Sequence, residues 1–172
     1  MRVFVAIDIP TELYKEIKKV QENLPNFIGK KIVPRNLHLT LKFIGEIDEK
    51  KVEQVKQRLR EIKLDKFETE IDKIGIFSPD FIRIVWLHIS GCEEIQKEVD
   101  EKLSELFEKE RRFMSHLTIA RVKGVRDREK FIRDIKNIKL PKIKFKVKKF
   151  KLKESILKFE GPEYKDLEVY DL

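Results

Sequence analysis

Two of the chain's three histidines sit in the same short context. His38 lies in Leu37-His38-Leu39-Thr40-Leu41, and His116 lies in Ser115-His116-Leu117-Thr118-Ile119. Both read His-Leu-Thr and then an apolar residue, 78 positions apart (116 − 38). Only four threonines exist, Thr11, Thr40, Thr69 and Thr118, and two of them fall in these copies. Random placement would give that pairing with a probability on the order of one in a thousand. The residue types have a chemistry in common. An imidazole titrates close to neutrality, so one ring can take a proton while a second, protonated ring gives one up. Hydroxyls beside them suit the nonbridging oxygens of a phosphate and the charge that grows there in a transition state.

Other chemistries lack their parts. The third histidine, His88, follows Trp86 on a predicted strand with no carboxylate at the short spacing of a metal site, so no metal is expected. Cys92 is the only cysteine and falls on the apolar face of a predicted helix, where a thiol fills core space. Neither a Gly-x-Ser-x-Gly elbow nor a phosphate-cradling glycine loop is present. No cofactor is expected.

The elements that must position the histidines follow from periodicity. In a strand alternate side chains face opposite ways. Leu37, Leu39, Leu41 and Phe43 are expected to point into a core, with His38, Thr40 and Lys42 on the open face. Leu117 and Ile119 point inward in the second copy, and His116 and Thr118 outward. Around these strands (36–44 and 114–122) the chain alternates. A strand at 2–8 precedes a helix carrying Leu13, Ile17, Val20 and Leu24, ended by Pro25 and Gly29. A second helix follows the candidate cap Asp48. Strands 67–77 and 81–89 flank the turn signal Ser78-Pro79-Asp80. Ser90-Gly91-Cys92-Glu93 has the spacing of a capping box and opens a third helix. Asp127 caps a fourth. The lysine-rich stretch 142–153 reads as a strand whose parity flips at Lys148-Lys149, predicting a bulge or a switch of face. Its lysines suit a protected sheet edge, with RNA contact the lesser reading. A last strand pair, 154–160 and 164–170, flanks Gly161-Pro162. A strand–helix–strand unit carrying His-Leu-Thr occurs early and again late. This predicts an α+β fold of two pseudo-symmetric lobes, each a mostly antiparallel sheet with helices outside, around a central cleft.

Composition sets the bounds. The 172 residues fit a single bilobal domain over 1–172. The net charge of +8 comes with abundant acidic residues, so it permits a polyanionic partner without requiring one. One unpaired cysteine fits a reducing cytosol. The first apolar run ends at Asp8 and reads as a strand, not a leader, and no stretch is long enough to cross a membrane. A cytoplasmic monomer is expected.

With these residues in place, the chain resembles the two-histidine phosphoesterases, specifically the RNA 2′,3′-cyclic phosphodiesterases also called 2′-5′ RNA ligases. Besides the paired motifs, the resemblance rests on Arg2-Val3-Phe4-Val5-Ala6-Ile7-Asp8, Val33-Pro34-Arg35-Asn36-Leu37, Leu41-Lys42-Phe43-Ile44-Gly45 and Lys153-Glu154-Ser155. It implies metal-independent hydrolysis of a terminal 2′,3′-cyclic phosphate to a 2′-phosphomonoester. It implies that His38 is the general acid, His116 the general base, and that Thr40, Thr118 and Arg121 hold the phosphate. Strict alternation would put Arg121 on the wrong face, so a bulge or the strand's end must bring it round. The implied partner is RNA with a cyclic phosphate end, tRNA halves among them, with 2′-5′ ligation as the reverse reaction. Two other readings remain open at this point: a non-catalytic nucleotide- or RNA-binding module that kept the cleft, and a small-molecule cyclic phosphodiesterase acting on nucleotides. Intact His and Thr in both motifs favour an enzyme.

Overall fold

A computed structural model describes all 172 residues. In chain order the elements are β1 (Arg2–Asp8), α1 (Tyr14–Glu22), β2 (Ile28–Lys31), β3 (His38–Glu46), α2 (Glu49–Leu59), β4 (Phe67–Ile76), β5 (Ile84–Ser90), α3 (Glu93–Leu103), β6 (His116–Gly124), α4 (Arg128–Lys136), β7 (Ile143–Val147), β8 (Lys149–Lys158) and β9 (Gly161–Asp171). The fold is α+β. All nine strands join one antiparallel sheet, ordered β7-β4-β5-β6-β3-β1-β8-β9, with β2 added against β6. The helices bury their apolar stripes on it: α1 lies against β6, α3 against β3, α2 against α3 and α4 against β4. No helix is long and apolar enough to cross a membrane.

The two halves of the sheet meet where β3 and β6 pair, at Leu39↔Leu117, the middle residues of the two motifs. From that contact outward the halves repeat each other. Asp8 pairs with His38, and His88 with His116; Ala6 pairs with Thr40, and Trp86 with Thr118. Both pairings then skip the residue three after the histidine, going to Val5↔Lys42 and to Val85↔Ala120. Leu41 and Ile119 are therefore equivalent β-bulges, each inserting one residue and reversing the side-chain alternation that follows.

The bulge at Leu41 overturns the expected inward set. Phe43 is 50 % exposed, not in the core, and Lys42 is 3 % exposed, not on the open face. Lys42 Nζ turns under the sheet to donate to Asp100 Oδ1 at 2.6 Å and to the Glu108 carbonyl at 2.7 Å. Asp100 Oδ2 in turn accepts from the backbone N–H of Glu110 and from Gln96 Nε2. A buried ammonium needs such a set, because its desolvation must be offset by a close counter-charge and hydrogen bonds. Phe43 is left on the open face, beneath the Arg2 guanidinium at 5.0 Å from the ring centre.

Other expectations move by a few residues for local reasons. The capping box does not form: Ser90 closes β5 and its hydroxyl donates to the Glu70 carbonyl, while Cys92 is the N-cap without a side-chain bond. Gly91, at φ +91°, makes the tight turn between them. Asp48 and Asp127 do cap, accepting from the backbone of Lys51 and Lys130. Gly29 does not end α1, which stops at Glu22; it lies in β2 at φ +153°, where a Cβ would collide with the Arg121 carbonyl. Its bare backbone lets β2 dock on β6. The parity flip at Lys148 marks a change of sheet half. β7 is an edge strand on β4, with Lys144 and Lys146 exposed, whereas β8 inserts between β1 and β9.

Candidate active site

His38 and Thr40 stand on the face of β3 opposite Leu39, and His116 and Thr118 on the face of β6 opposite Leu117. The Leu39↔Leu117 pairing fixes how the copies meet. This antiparallel contact sets the two His-Leu-Thr segments side by side, with both imidazoles and both hydroxyls on the face away from the leucines.

The two rings are held in the same way. His38 Nδ1 donates to the Asn36 carbonyl at 2.8 Å, and His116 Nδ1 donates to the Met114 carbonyl at 2.8 Å. A carbonyl can only accept, so Nδ1 carries the proton in both rings and Nε2 is left for chemistry. Neutral, Nε2 is a base; protonated, it is an acid. In each case the fixing carbonyl belongs to the residue two places earlier, just before the strand. Aromatic edges complete the hold: Tyr164 meets His38 edge-on at 4.9 Å between ring centres, and Phe77 meets His116 edge-on at 5.2 Å.

Arg121 reaches the same face. Alternation from His116 would send it away, but the bulge at Ile119 restores it. Gln21, buried on α1, braces the bulge by donating to the carbonyls of Ile119 and Ile32, each at 2.9 Å. Arg121 lines a cavity of about 1180 Å³ together with Asn36, Tyr164, Asp8 and Lys153. His38 adjoins this cavity through Asn36 and Tyr164, which line it, and neither motif histidine is itself in the lining. Lys153 and Lys151 both pair with Asp8 and with Asp166, at 2.6–3.0 Å, forming a closed ring of charge beside His38. Sequence periodicity did not single out this ring, Asn36, Met114 or Tyr164. Two signals were available: Lys151 and Lys153 share one face of their strand, and Asp8, Asn36 and Lys153 lie in segments that carry the family resemblance.

His88 joins the same sheet face opposite His116, but its Nδ1 is hydrogen-bonded to Asp72 Oδ1 at 2.6 Å. No three His, Cys, Asp or Glu side chains come together as a metal-ligating set. Cys92 is buried, and burial pushes its thiol up to about 12, which makes it inert as a nucleophile.

Comparison with known proteins decides the family. A model described as LigT like Phosphoesterase matches residues 7–86 and 90–164. The chain belongs to the LigT-like phosphoesterases. It is 38 % identical over 169 residues to the RNA 2′,3′-cyclic phosphodiesterase of Methanocaldococcus jannaschii, covering 95 % of this chain and 96 % of that one. It is 34 % identical to the protein of the same name from Archaeoglobus fulgidus, over 99 % of this chain and 100 % of that one. Among solved structures it superposes on a Thermus thermophilus protein with a TM-score of 0.80 at 25 % identity, covering 100 % of this chain and 98 % of that one. The fold is also that of Escherichia coli LigT complexed with 3′-AMP, at a TM-score of 0.80 and 23 % identity, covering 99 % of this chain and 97 % of that one.

In this LigT-like phosphoesterase the surroundings of His38 disfavour its charged form. Burial pushes the His38 imidazolium below its ordinary value of 6.5, and Lys153 and Arg121 push the same way. The Asn36 carbonyl and the Asp8 carboxylate oppose them without prevailing. The free protein therefore favours neutral His38. A phosphate anion arriving beside Nε2 has the opposite sign of effect and should restore the proton. Titration of His38 by NMR is expected to give a midpoint below 6.5 in the free protein and a higher one with inorganic phosphate bound. Between those midpoints binding takes up a proton, so phosphate affinity should weaken as pH rises through that window. An unchanged midpoint on phosphate binding would place the anion away from His38.

Proposed function

We propose that the chain hydrolyses the 2′,3′-cyclic phosphate at the end of an RNA to a 2′-phosphomonoester, using His38 and His116 as an acid–base pair. The observation that carries this reading is the matched tautomer: both rings commit Nδ1–H to a carbonyl and leave Nε2 on one shared face. His116 Nε2 takes a proton from water as its oxygen forms a bond to phosphorus. His38, protonated on Nε2, gives its proton to the 3′ oxygen as the P–O3′ bond breaks. Thr40, Thr118 and Arg121 take the charge that accumulates on the nonbridging oxygens. Since each half of the sheet contributes one histidine, residues 1–172 act as one bilobal domain.

Relatives named RNA 2′,3′-cyclic phosphodiesterase, at 33–38 % identity over most of the chain, support the substrate. By microscopic reversibility the same pair would join RNA ends through a 2′-5′ bond when a 5′ hydroxyl replaces water, with tRNA halves as candidate substrates. A monomer suffices for either direction, because both histidines come from one chain.

Purified protein should convert an oligoribonucleotide ending in a 2′,3′-cyclic phosphate to the 2′-phosphate, at the same rate with EDTA. Loss of activity on chelation would mean a metal-bound hydroxide. A 3′-phosphate product would mean that the 2′ oxygen leaves and that the substrate sits the other way round.

A further inference from the structure

The cavity beside His38 leads away from the motif strands. Its outer part runs between β2 with the loop after it and the turn of the β8–β9 hairpin. Five cations line it without an ion-pair partner: Lys30, Lys31, Arg35, Arg121 and Lys165. The other two lining lysines, Lys153 and Lys158, pair with Asp8 and Glu163. At the hairpin turn Phe159, also in the lining, is fully exposed, and Leu157 beside it is 74 % exposed. An aromatic ring held out from a turn gains nothing for folding.

We propose that this groove binds the RNA strand upstream of the cyclic phosphate, with backbone phosphates on Lys30, Lys31 and Arg35 and a base stacked on Phe159. The inference rests on the function proposed above and goes beyond it in naming the residues that make the enzyme prefer an RNA strand to a cyclic mononucleotide. A terminal 2′,3′-cyclic phosphate occupies the 3′ end, so every other nucleotide must leave the site on its 5′ side. The cavity exceeds the roughly 300–1,000 Å³ that a small-molecule site needs, which leaves room for more than the reacting nucleotide. Unpaired cations tracking a backbone, with an aromatic face beside them, are the two parts of a single-strand site.

The test compares kcat/KM on adenosine 2′,3′-cyclic monophosphate with that on oligoadenylates of two, three and six nucleotides bearing the same end. The wild type should gain at least about tenfold with length, roughly what one stacked base supplies. Phe159→Ala should remove most of that gain and change the mononucleotide rate less than about twofold. Lys30→Ala/Lys31→Ala should flatten the salt dependence of the hexamer rate, by about 0.7 in log–log slope per lost phosphate contact. Equal rates at all lengths, or variants that slow monomer and hexamer alike, would overturn this inference and leave the hydrolase reading intact. Failure to turn over any of the substrates would overturn both. If Phe159→Ala instead changes the sedimentation coefficient and not the length dependence, the exposed tip contacts a second copy and the RNA assignment is wrong.

Discussion

His38→Ala and His116→Ala should each lower kcat on an RNA cyclic phosphate by about 10²–10⁴-fold, the range for a general acid or base. Folding should be unaffected. Both rings stand on the face of the sheet away from the core leucines, and both residues are only half-buried. The thermal midpoints of both variants are therefore expected to stay close to the wild type. Because the two rings act in one step, the double variant should be little worse than the poorer single one. A variant that kept near-wild-type turnover would show that its ring is not part of the proton transfer.

The largest effect on stability should come from beneath the same strand. Asp100→Ala leaves the Lys42 ammonium buried and unpaired, and should cost about 3–5 kcal/mol in urea unfolding. The pair Lys42→Met/Asp100→Leu, which removes both charges, should recover most of that loss. The pair also holds the Leu41 bulge in register, since Lys42 can reach Asp100 only after the alternation has reversed. A loss well under about 1 kcal/mol for Asp100→Ala would mean that Lys42 escapes to solvent and that the bulge does not depend on the pair.

The bulges mark the boundary of what the sequence makes legible. Leu39, Leu117 and their alternating neighbours put His38, Thr40, His116 and Thr118 on one face, because a period of two needs only local sterics. A bulge adds one residue without any required residue type, so Leu41 and Ile119 look like ordinary core positions. Hence Lys42 and Phe43 were expected on the wrong faces, and Arg121 came round only if a bulge was assumed. The carbonyls of Asn36 and Met114 were invisible for another reason: any residue carries one, and only the backbone path decides where it points. The pairing of the halves at Leu39 and Leu117 is a long-range contact that duplication suggests but cannot place in register. Helix caps at Asp48 and Asp127 were legible because an Asx side chain acts within its own turn. The Ser90 capping box failed because β5 claimed Ser90 first.

The central claim assigns different jobs to two nearly identical rings, and the depressed titration of His38 makes its role as the proton donor the more exposed half. It can be tested by changing the leaving group. A substrate with sulfur in place of the 3′ oxygen of the cyclic phosphate expels a thiolate, which leaves without a proton because thiols are far more acidic than alcohols, with a pKa of about 8.5 for cysteine. The general acid then has nothing to do, while water still needs a base. Measured against the oxygen substrate, His38→Ala should recover most of its lost rate on the sulfur substrate, and His116→Ala should recover none. Rescue of His116→Ala with His38→Ala still inactive would contradict the assignment and exchange the two roles.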